Sequence, residues 1–230
     1  MKRIFFIFCL SFSFWGFAQE EEDFDDDSVF IDEKYFEDQF YIGIQYSSLI
    51  SNYGVSNNGI PYGFEVGFIK DIPINKQRNL GFGLGVGYSY DVIRPNITIT
   101  QNGDALDYNV SNDFSSYKYT SNNLEFPLEF RWRTSTARKI SFWRIYTGGS
   151  LVYNLNNKAE FDTGTEDTSY TNLDSWNTIN YTLYASIGYG TWNFHIKYYL
   201  NSPFKDDVLS TSGGKLNFHP LKVGFMFYIL

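Results

Sequence analysis

The stretch NLGFGLGVGYSY, residues 79–90, decides the fold, because large and small side chains alternate along it without a break. A period of two is typical of a β-strand, in which successive side chains point to opposite faces. The large set comprises Leu80, Phe82, Leu84, Val86, Tyr88 and Tyr90, and the small set comprises Gly81, Gly83, Gly85, Gly87 and Ser89. A narrow membrane barrel shows large side chains to lipid and needs small ones inside, so this pattern indicates a barrel wall.

Further stretches of the chain alternate in the same way. They lie at residues 42–46, 64–68, 124–132, 143–153, 179–189, 192–200 and 221–229. Together with residues 80–90 they predict an all-β fold, an eight-stranded antiparallel up-and-down transmembrane β-barrel. A soluble β-sandwich is the alternative, and it would require the large faces to be buried against each other.

The links between these strands alternate in length. Long links lie at residues 51–61, 92–117, 156–177 and 201–215, and shorter ones at 71–79, 134–139 and 190–191. Outer-membrane barrels have short periplasmic turns and longer outer loops. We therefore expect both chain termini to be periplasmic and the long links to form a wet, variable outer surface.

Two sets of landmarks lie on the predicted strands. Aromatic girdles at the membrane boundaries are predicted from residues near strand ends, namely Trp132, Trp143, Trp176, Trp192, Tyr88 and Tyr90. Pro127 falls inside a strand, where it removes a donor from the hydrogen-bond ladder. We expect a bulge or a local kink there.

Residues 1–18 are predicted to be a secretory signal peptide. Lys2 and Arg3 precede a 14-residue apolar run, and small residues follow it. The run is too short for a spanning helix. Cys9 is the only cysteine and would leave with the signal, which excludes disulfides and cysteine chemistry from the mature chain.

An acidic segment at residues 19–39 precedes the predicted barrel domain at residues 40–230. Eleven of the 26 acidic residues fall between residues 20 and 38, whereas residues 39–230 hold 15 acids and 15 bases. Like charges repel, and the segment has little apolar surface to bury, so we expect it to be flexible and periplasmic. The candidate partner-binding residues are Glu20, Glu21, Glu22, Asp23, Asp25, Asp26 and Asp27.

The inward positions of the predicted strands carry charges. These are Glu65, Glu125, Glu129, Arg131, Arg133, Arg144, His195, Lys197 and Lys222. Buried charges need partners, and eight strands leave room for little more than side chains, so we interpret the set as a salt-bridged network that fills the lumen. A proton or ion path is the alternative.

Other chemistry finds little support in the sequence. His195 could share the lumen with Ser150 or Ser186, as a lipid-acting hydrolase would require, but no motif places either serine as a nucleophile. Two distant histidines, His195 and His219, and no mature cysteine do not predict a zinc site. No cofactor motif and no basic nucleic-acid-binding patch are present. We expect no catalytic, cofactor or metal residues.

Four motifs resemble the PorT-type outer-membrane β-barrel family. They are LEFPLEFRWR (124–133), FWRIYTGGSLVYNL (142–155), YASIGYGTWNFHIKYYLN (184–201) and LKVGFMFYIL (221–230), and the resemblance covers residues 40–230. It implies an eight-stranded barrel in the outer membrane of a Gram-negative bacterium, without catalytic residues. Some relatives serve type IX protein secretion and gliding. The chain ends on Leu230, whereas many such barrels end on an outward-facing aromatic residue.

Three functional hypotheses follow, in decreasing order of support. The first is a non-enzymatic barrel that binds outer-membrane lipid and other envelope proteins, as an accessory or component of a protein secretion or assembly machine. The second is a stand-alone structural or weakly conducting porin-like barrel. The third is a lipid-modifying outer-membrane enzyme.

Overall fold

A computed structural model of the chain describes residues 38–51, 54–102, 105–110, 116–134, 143–162, 167–205, 208–210 and 216–229. Their secondary structure is β throughout. The strands are β1 (Gln39–Ser51), β2 (Tyr62–Pro73), β3 (Leu80–Ile93), β4 (Ile97–Asn102), β5 (Ala105–Val110), β6 (Ser116–Arg133), β7 (Trp143–Asp162), β8 (Asp167–Thr171), β9 (Ile179–Tyr189), β10 (Trp192–Tyr199) and β11 (Phe218–Ile229). None of the described residues belongs to a helix long and apolar enough to cross a membrane.

Eight of these strands close into an antiparallel barrel. Its wall runs β6, β3, β2, β1, β11, β10, β9 and β7, and pairing of β6 with β7 closes the ring. Each wall strand pairs with the wall strands before and after it along the chain, and β1 pairs with β11. The predicted eight-stranded up-and-down barrel is confirmed, and a two-layer sandwich is excluded by the closure.

The alternation predicted for residues 80–90 is the alternation of the barrel wall. Along β3 the glycines are mostly buried, while Phe82, Leu84 and Val86 face outward and are exposed. The bare inner face leaves space for Tyr41, since a Cβ on Gly87 would come within 2.0 Å of the Tyr41 hydroxyl oxygen. Glycine is therefore required where a large side chain crosses the lumen.

Several predicted strand boundaries are wrong. β2 runs through Asp71 to Pro73, a region assigned to a short link, and the link at residues 92–117 contains β4 and β5, which pair as a separate hairpin. In the link at residues 156–177, β7 continues to Asp162 and pairs with β8. The sequence signal was weak there because polar residues interrupt the alternation of apolar ones.

No register shift lies at Pro127, where a bulge or a local kink was expected. Pro127 pairs in register with Ser150, although the ladder from β3 skips the positions opposite Pro127 and Phe126 without a shift. The register shift in the β6–β7 pair falls between Asn122 and Asn123 instead. Leu155 is the extra residue on β7. Before it the even-numbered side chains of β7 point inward, and after it the odd-numbered side chains do.

The connections at the long-link end pack into a hydrophobic cluster, which we call the cap. Its members are Val55, Ile93, Ile97, Tyr108, Tyr117, Tyr119, Ala159, Phe161, Leu173, Trp176, Phe204, Val208, Leu216 and Phe218. Phe204 and Phe218 are fully buried, and the ring of Tyr119 stacks on that of Trp176 with centroids 6.2 Å apart. The expectation of a wholly wet and variable loop surface was wrong for these residues.

Candidate functional site

The charged positions predicted from the alternation all lie inside the barrel. Glu65, Glu125, Glu129, Arg131, Arg133, Arg144, His195, Lys197 and Lys222 each expose 3% or less of their surface. Sequence reasoning missed Asp71 and Asp91, which are also buried and which continue the inward odd positions of β2 and β3. With these two, the described lumen holds five carboxylates and five arginines or lysines, so its formal charge is balanced.

Near the short-link end, two arginines surround one aspartate. Arg133 makes two hydrogen bonds to the Asp71 carboxylate, at 2.9 and 2.7 Å, and Arg131 donates to the same carboxylate at 3.1 Å. Arg131 also bonds Glu129 at 2.7 Å and the Gln39 side chain at 3.1 Å. Charge-assisted bonds with this two-point geometry are the strong ones, so the lumen is closed here by a rigid network. We call it the arginine layer.

Aromatic rings separate this layer from the next charges. The rings of Tyr41, Tyr146 and Tyr228 form a buried cluster with Ile69 and Met226. The Arg131 guanidinium lies over the Tyr146 ring, 4.7 Å from its centroid, which is within the range of a cation–π contact. The tyrosine rings thus fill the middle of the lumen, and the faces of Tyr146 and Tyr228 contact the guanidinium groups of Arg131 and Arg144.

A second charged group lies toward the long-link end, and we call it the lysine layer. Lys197 Nζ bonds Glu65 at 2.6 Å and Glu125 at 2.8 Å. Lys222 Nζ bonds both oxygens of Asp91, at 2.7 and 2.8 Å. Each ammonium therefore meets at least one carboxylate, which offsets the cost of removing these charges from water.

A chain of asparagines joins the lysine layer to the cap. Asn123 donates to Asp91 at 3.2 Å and accepts a bond from Asn154 at 2.9 Å. Asn157 donates to Asn154 at 3.0 Å and accepts the Leu173 backbone N–H at 2.8 Å. The shift at Asn122 and Asn123 produces this chain, because it turns Asn157 toward the interior.

The remaining space in the lumen is small. Two internal cavities, one bordered by Tyr41, Glu125 and His195 and the other by Asp91, Tyr199 and Lys222, each measure about 20 Å³. A single water needs roughly 10–15 Å³ on this measure. Each of these two cavities therefore offers space for about one water.

The two serines named with His195 differ in position. Ser186 Oγ lies 2.6 Å from His195 Nδ1, whereas Ser150 Oγ bonds Thr182 Oγ1 at 2.6 Å. His195 Nε2 has no hydrogen-bond partner among the described side chains, so no third group orients the ring. His195 borders one of the two water-sized cavities, and that cavity has no room for a lipid substrate.

Some sequence-based predictions fall outside the described residues. These are the signal peptide at residues 1–18, the tail residues between Glu20 and Asp27, and Leu230. Of the acidic segment at residues 19–39, the structure describes Asp38 and Gln39, and Gln39 is already the first residue of β1. Asp38 accepts hydrogen bonds from Lys70 Nζ at 2.5 Å and from the Asp71 backbone N–H at 2.9 Å. Partial burial alone would raise the pKa of Asp38, but these two bonds outweigh it and hold the pKa below its ordinary value. Within the described ranges no group of histidine or acidic side chains is arranged to hold a metal ion.

The outer surface of the barrel carries two aromatic bands. Trp132, Trp143 and Trp192 are exposed at the short-link end. A band of exposed tyrosines lies toward the long-link end, formed by Tyr46, Tyr62, Tyr88, Tyr153 and Tyr181. The prediction that Trp176 belongs to a girdle was wrong, because this residue is buried in the cap at 6% exposure. Apolar side chains between the bands suit a lipid bilayer, and the aromatic residues suit its interfaces.

The comparison with protein families agrees with an outer-membrane location. A family model described as "Outer membrane protein beta-barrel domain" matches residues 17–204. No curated protein matches the chain. Two solved structures of Ail, the attachment invasion locus protein of Yersinia pestis, resemble it at 15% identity. One, in complex with the heparin analogue sucrose octasulfate, gives a TM-score of 0.37 over 84% of this chain and 99% of Ail. The other gives 0.31 over 83% and 97%.

Proposed function

The chain belongs to the outer membrane protein beta-barrel domain family, and from this premise we propose that it is a sealed, non-enzymatic barrel that acts through contacts made by its outer surfaces. Its more specific task in this proposal is that of an accessory or component of an outer-membrane protein secretion or assembly machine. Its partners would be outer-membrane lipid and other envelope proteins.

The observation that carries the proposal is the closure of the lumen at three levels. The arginine layer, the tyrosine cluster and the lysine layer fill the barrel, and the cap covers the long-link end. Cavities of about 20 Å³ leave no room for a transported solute or a lipid substrate. A barrel with an occupied interior has only its lipid-facing wall, its two ends and its terminal segment with which to act.

The orientation in this proposal follows from the lengths of the links. β2 and β3, and β9 and β10, are joined by short turns at the end where β1 begins and β11 ends. Short turns are typical of the periplasmic side. Both termini would then be periplasmic, the cap would face the cell exterior, and the acidic segment at residues 19–39 would extend where periplasmic partners can reach it.

Two features favour a partner in a secretion or assembly machine. The first is the resemblance of four motifs to the PorT-type family, in which some members serve type IX secretion and gliding. The sequence concentrates seven acidic residues before a barrel domain that is formally neutral, namely Glu20, Glu21, Glu22, Asp23, Asp25, Asp26 and Asp27. Such a segment suits electrostatic capture of a basic partner surface.

Co-purification from the native outer membrane tests this proposal. A tagged full-length chain is extracted in mild detergent, and a second version lacks residues 20–37, which keeps the Asp38–Lys70 contact. A third version keeps the segment's length but replaces the seven acidic residues between Glu20 and Asp27 with Asn or Gln. We expect stoichiometric recovery of secretion or assembly proteins with the natural chain and loss of most of it with both variants. If the natural chain is recovered without other proteins, its proposed role in a secretion or assembly machine is refuted.

Conductance in a planar bilayer tests the sealed lumen separately. The second hypothesis, a weakly conducting barrel, predicts stable current steps from the purified natural chain. The filled lumen predicts none at moderate voltage, because every path crosses ion-paired side chains. Stable open-channel steps would refute the seal whatever the co-purification shows.

A further inference from the structure

A polar crevice opens on the side of the barrel beside the register shift in β7. Its volume is about 220 Å³, some ten times that of either lumen cavity. Asn154, Asn156, Asn157, Asn172 and Thr178 contribute to its lining, together with Asp174 and Lys205. Trp176 borders both this crevice and one lumen cavity, so its ring separates the outside from the sealed interior.

The walls of the crevice are held in place by hydrogen bonds. Asn157 accepts the Leu173 N–H at 2.8 Å and donates to Asn154 at 3.0 Å, which fixes the inner wall. The neighbouring connections are joined by bonds from the Lys205 N–H to the Ser175 carbonyl and from the Asn177 N–H to the Pro203 carbonyl, at 2.8 and 2.7 Å. The site is therefore built before any ligand arrives, which lowers the entropic cost of binding.

The lining favours an uncharged polyhydroxyl ligand. Amide side chains both donate and accept hydrogen bonds, as sugar hydroxyls do. Asp174 and Lys205 are exposed and of opposite charge, so the crevice has no net charge to attract an anion or a cation. The exposed side chain of Leu155 adds a small apolar surface against which the C–H groups of a sugar ring can pack. The volume lies below the roughly 300–1,000 Å³ typical of sites for drug-sized ligands, which suits a single ring.

This inference rests on the orientation proposed above, in which the long-link end and the crevice lie in the outer leaflet, where bacterial glycolipids carry their saccharides. Tyr153 pairs with Ile179 in the band of exposed tyrosines, and the crevice begins one residue further along β7. Tyrosine bands mark the membrane interface, so the crevice opens just beyond the hydrocarbon region. We propose that it binds one uncharged pyranose ring, supplied either by the saccharide part of a glycolipid in the same leaflet or by a free saccharide.

Two probes distinguish these sources. Free methyl glucoside, galactoside and mannoside are tested on the full-length protein in detergent micelles by saturation-transfer NMR. Lipopolysaccharide is tested in nanodiscs by native mass spectrometry. The test variant is Asn156→Ala with Asp174→Ala, and the control is Asn109→Ala, an exposed asparagine on β5 outside the crevice. Gel mobility before and after heating checks that each protein is folded.

We expect binding in at least one arm, a loss of about tenfold in the double variant because two hydrogen bonds are removed, and no change in the control. If only the free glycosides bind, the natural ligand is a soluble saccharide. If only lipopolysaccharide is retained, the natural ligand is a membrane glycolipid. Absence of binding in both arms, or equal binding by the folded double variant, would overturn the proposal. None of these outcomes alters the co-purification or conductance tests.

Discussion

The lumen and the cap are both buried, yet they are built from opposite kinds of side chain. The lumen is filled by five carboxylates, five arginines or lysines and a group of tyrosines, and the cap by aromatic and aliphatic residues around Phe204. Inside the barrel wall, charges pair at distances such as 2.6 Å for Lys197 and Glu65. In the cap, rings pack edge to face, as Phe204 and Trp176 do with centroids 5.2 Å apart.

This difference shows how a narrow barrel that is surrounded by lipid can be closed, both in its lumen and at its long-link end. The wall uses its large apolar residues on the outer face, so the inner positions are left to polar and small residues that must pair among themselves. Beyond the membrane, the wall strands no longer face lipid and can turn apolar side chains inward, as β7 does at Phe161 after its shift. Ion pairs therefore close the lumen within the membrane, and hydrophobic packing in the cap closes the long-link end.

The largest effect is expected from breaking the arginine layer with Asp71→Ala. Arg131 and Arg133 would each lose a buried carboxylate, and unpaired buried charges cost about 3–5 kcal/mol of unfolding free energy. Urea unfolding of the protein in lipid vesicles measures the change. Asp38→Ala is the control, because its partner Lys70 is 55% exposed at the side chain and such a pair contributes less than about 1 kcal/mol. Equal losses in the two variants would contradict the account of the lumen.

The cap is tested by Phe204→Ala, which removes a fully buried ring in contact with Tyr108, Tyr119 and Trp176. We expect a local loss of about 3 kcal/mol, at the low end for such truncations because loops can partly collapse. Hydrogen exchange should quicken in β4 and β5 and stay unchanged in β1 and β2. Phe82→Ala, on the lipid-facing wall, is the control. Faster exchange throughout the barrel would mean that the cap and the lumen are one cooperative unit.

The asparagine chain joins the two regions, and Asn123→Ala tests the link. The change removes its bonds to Asp91 and Asn154 and leaves those groups short of a partner, at a cost of about 1–3 kcal/mol. A double-mutant cycle with Asn157→Ala, read by urea unfolding and by exchange in β5, should give a coupling above about 0.5 kcal/mol. Strictly additive effects would show that the cap and the lysine layer are independent.

The smallest effect is expected at the outer extension of β6 and β7. Hydrogen bonds from Lys158 and Lys118 hold the pKa of Glu160 below its ordinary value. A lowered carboxyl pKa gives stability that is present above the ordinary glutamate range and is lost as the pH falls through the lowered pKa. Exchange in β8 should therefore quicken at acid pH in the natural chain. Glu160→Gln should cost less than about 1 kcal/mol near neutrality and remove that acid dependence. If exchange in β8 still quickens at acid pH in the variant, a group other than Glu160 causes the acid dependence.

The number of barrel strands, and the face to which each side chain points, could be predicted from the sequence because one pattern governs the whole wall. Each residue faces lipid or lumen, and a period of two records that choice directly, as at Phe82 and Gly83. The inward charges followed from the same rule. Asp71 was missed because β2 was ended too early, and extending its alternation past Gly67 would have found it.

The cap could not be predicted in the same way. β4, β5 and β8 carry mixed polar sequences, and their buried residues contact one another across long chain separations, as Tyr119 does with Phe204. Trp176 was read as a membrane anchor from its position near a strand, but its neighbours in space decide that it is buried. The register shift between Asn122 and Asn123 has no proline or glycine to mark it.

The architecture, the outward apolar surface, and eight charged residues and His195 inside the barrel follow from the sequence alone, because alternation along a strand is a local property. Only the tertiary structure decided which charges pair, that Asp71 and Asp91 complete the balance, and that the outer connections form a cap beside a polar crevice. Those features depend on contacts between strands far apart in the chain, and their energies arise from distance and burial, which no local pattern records.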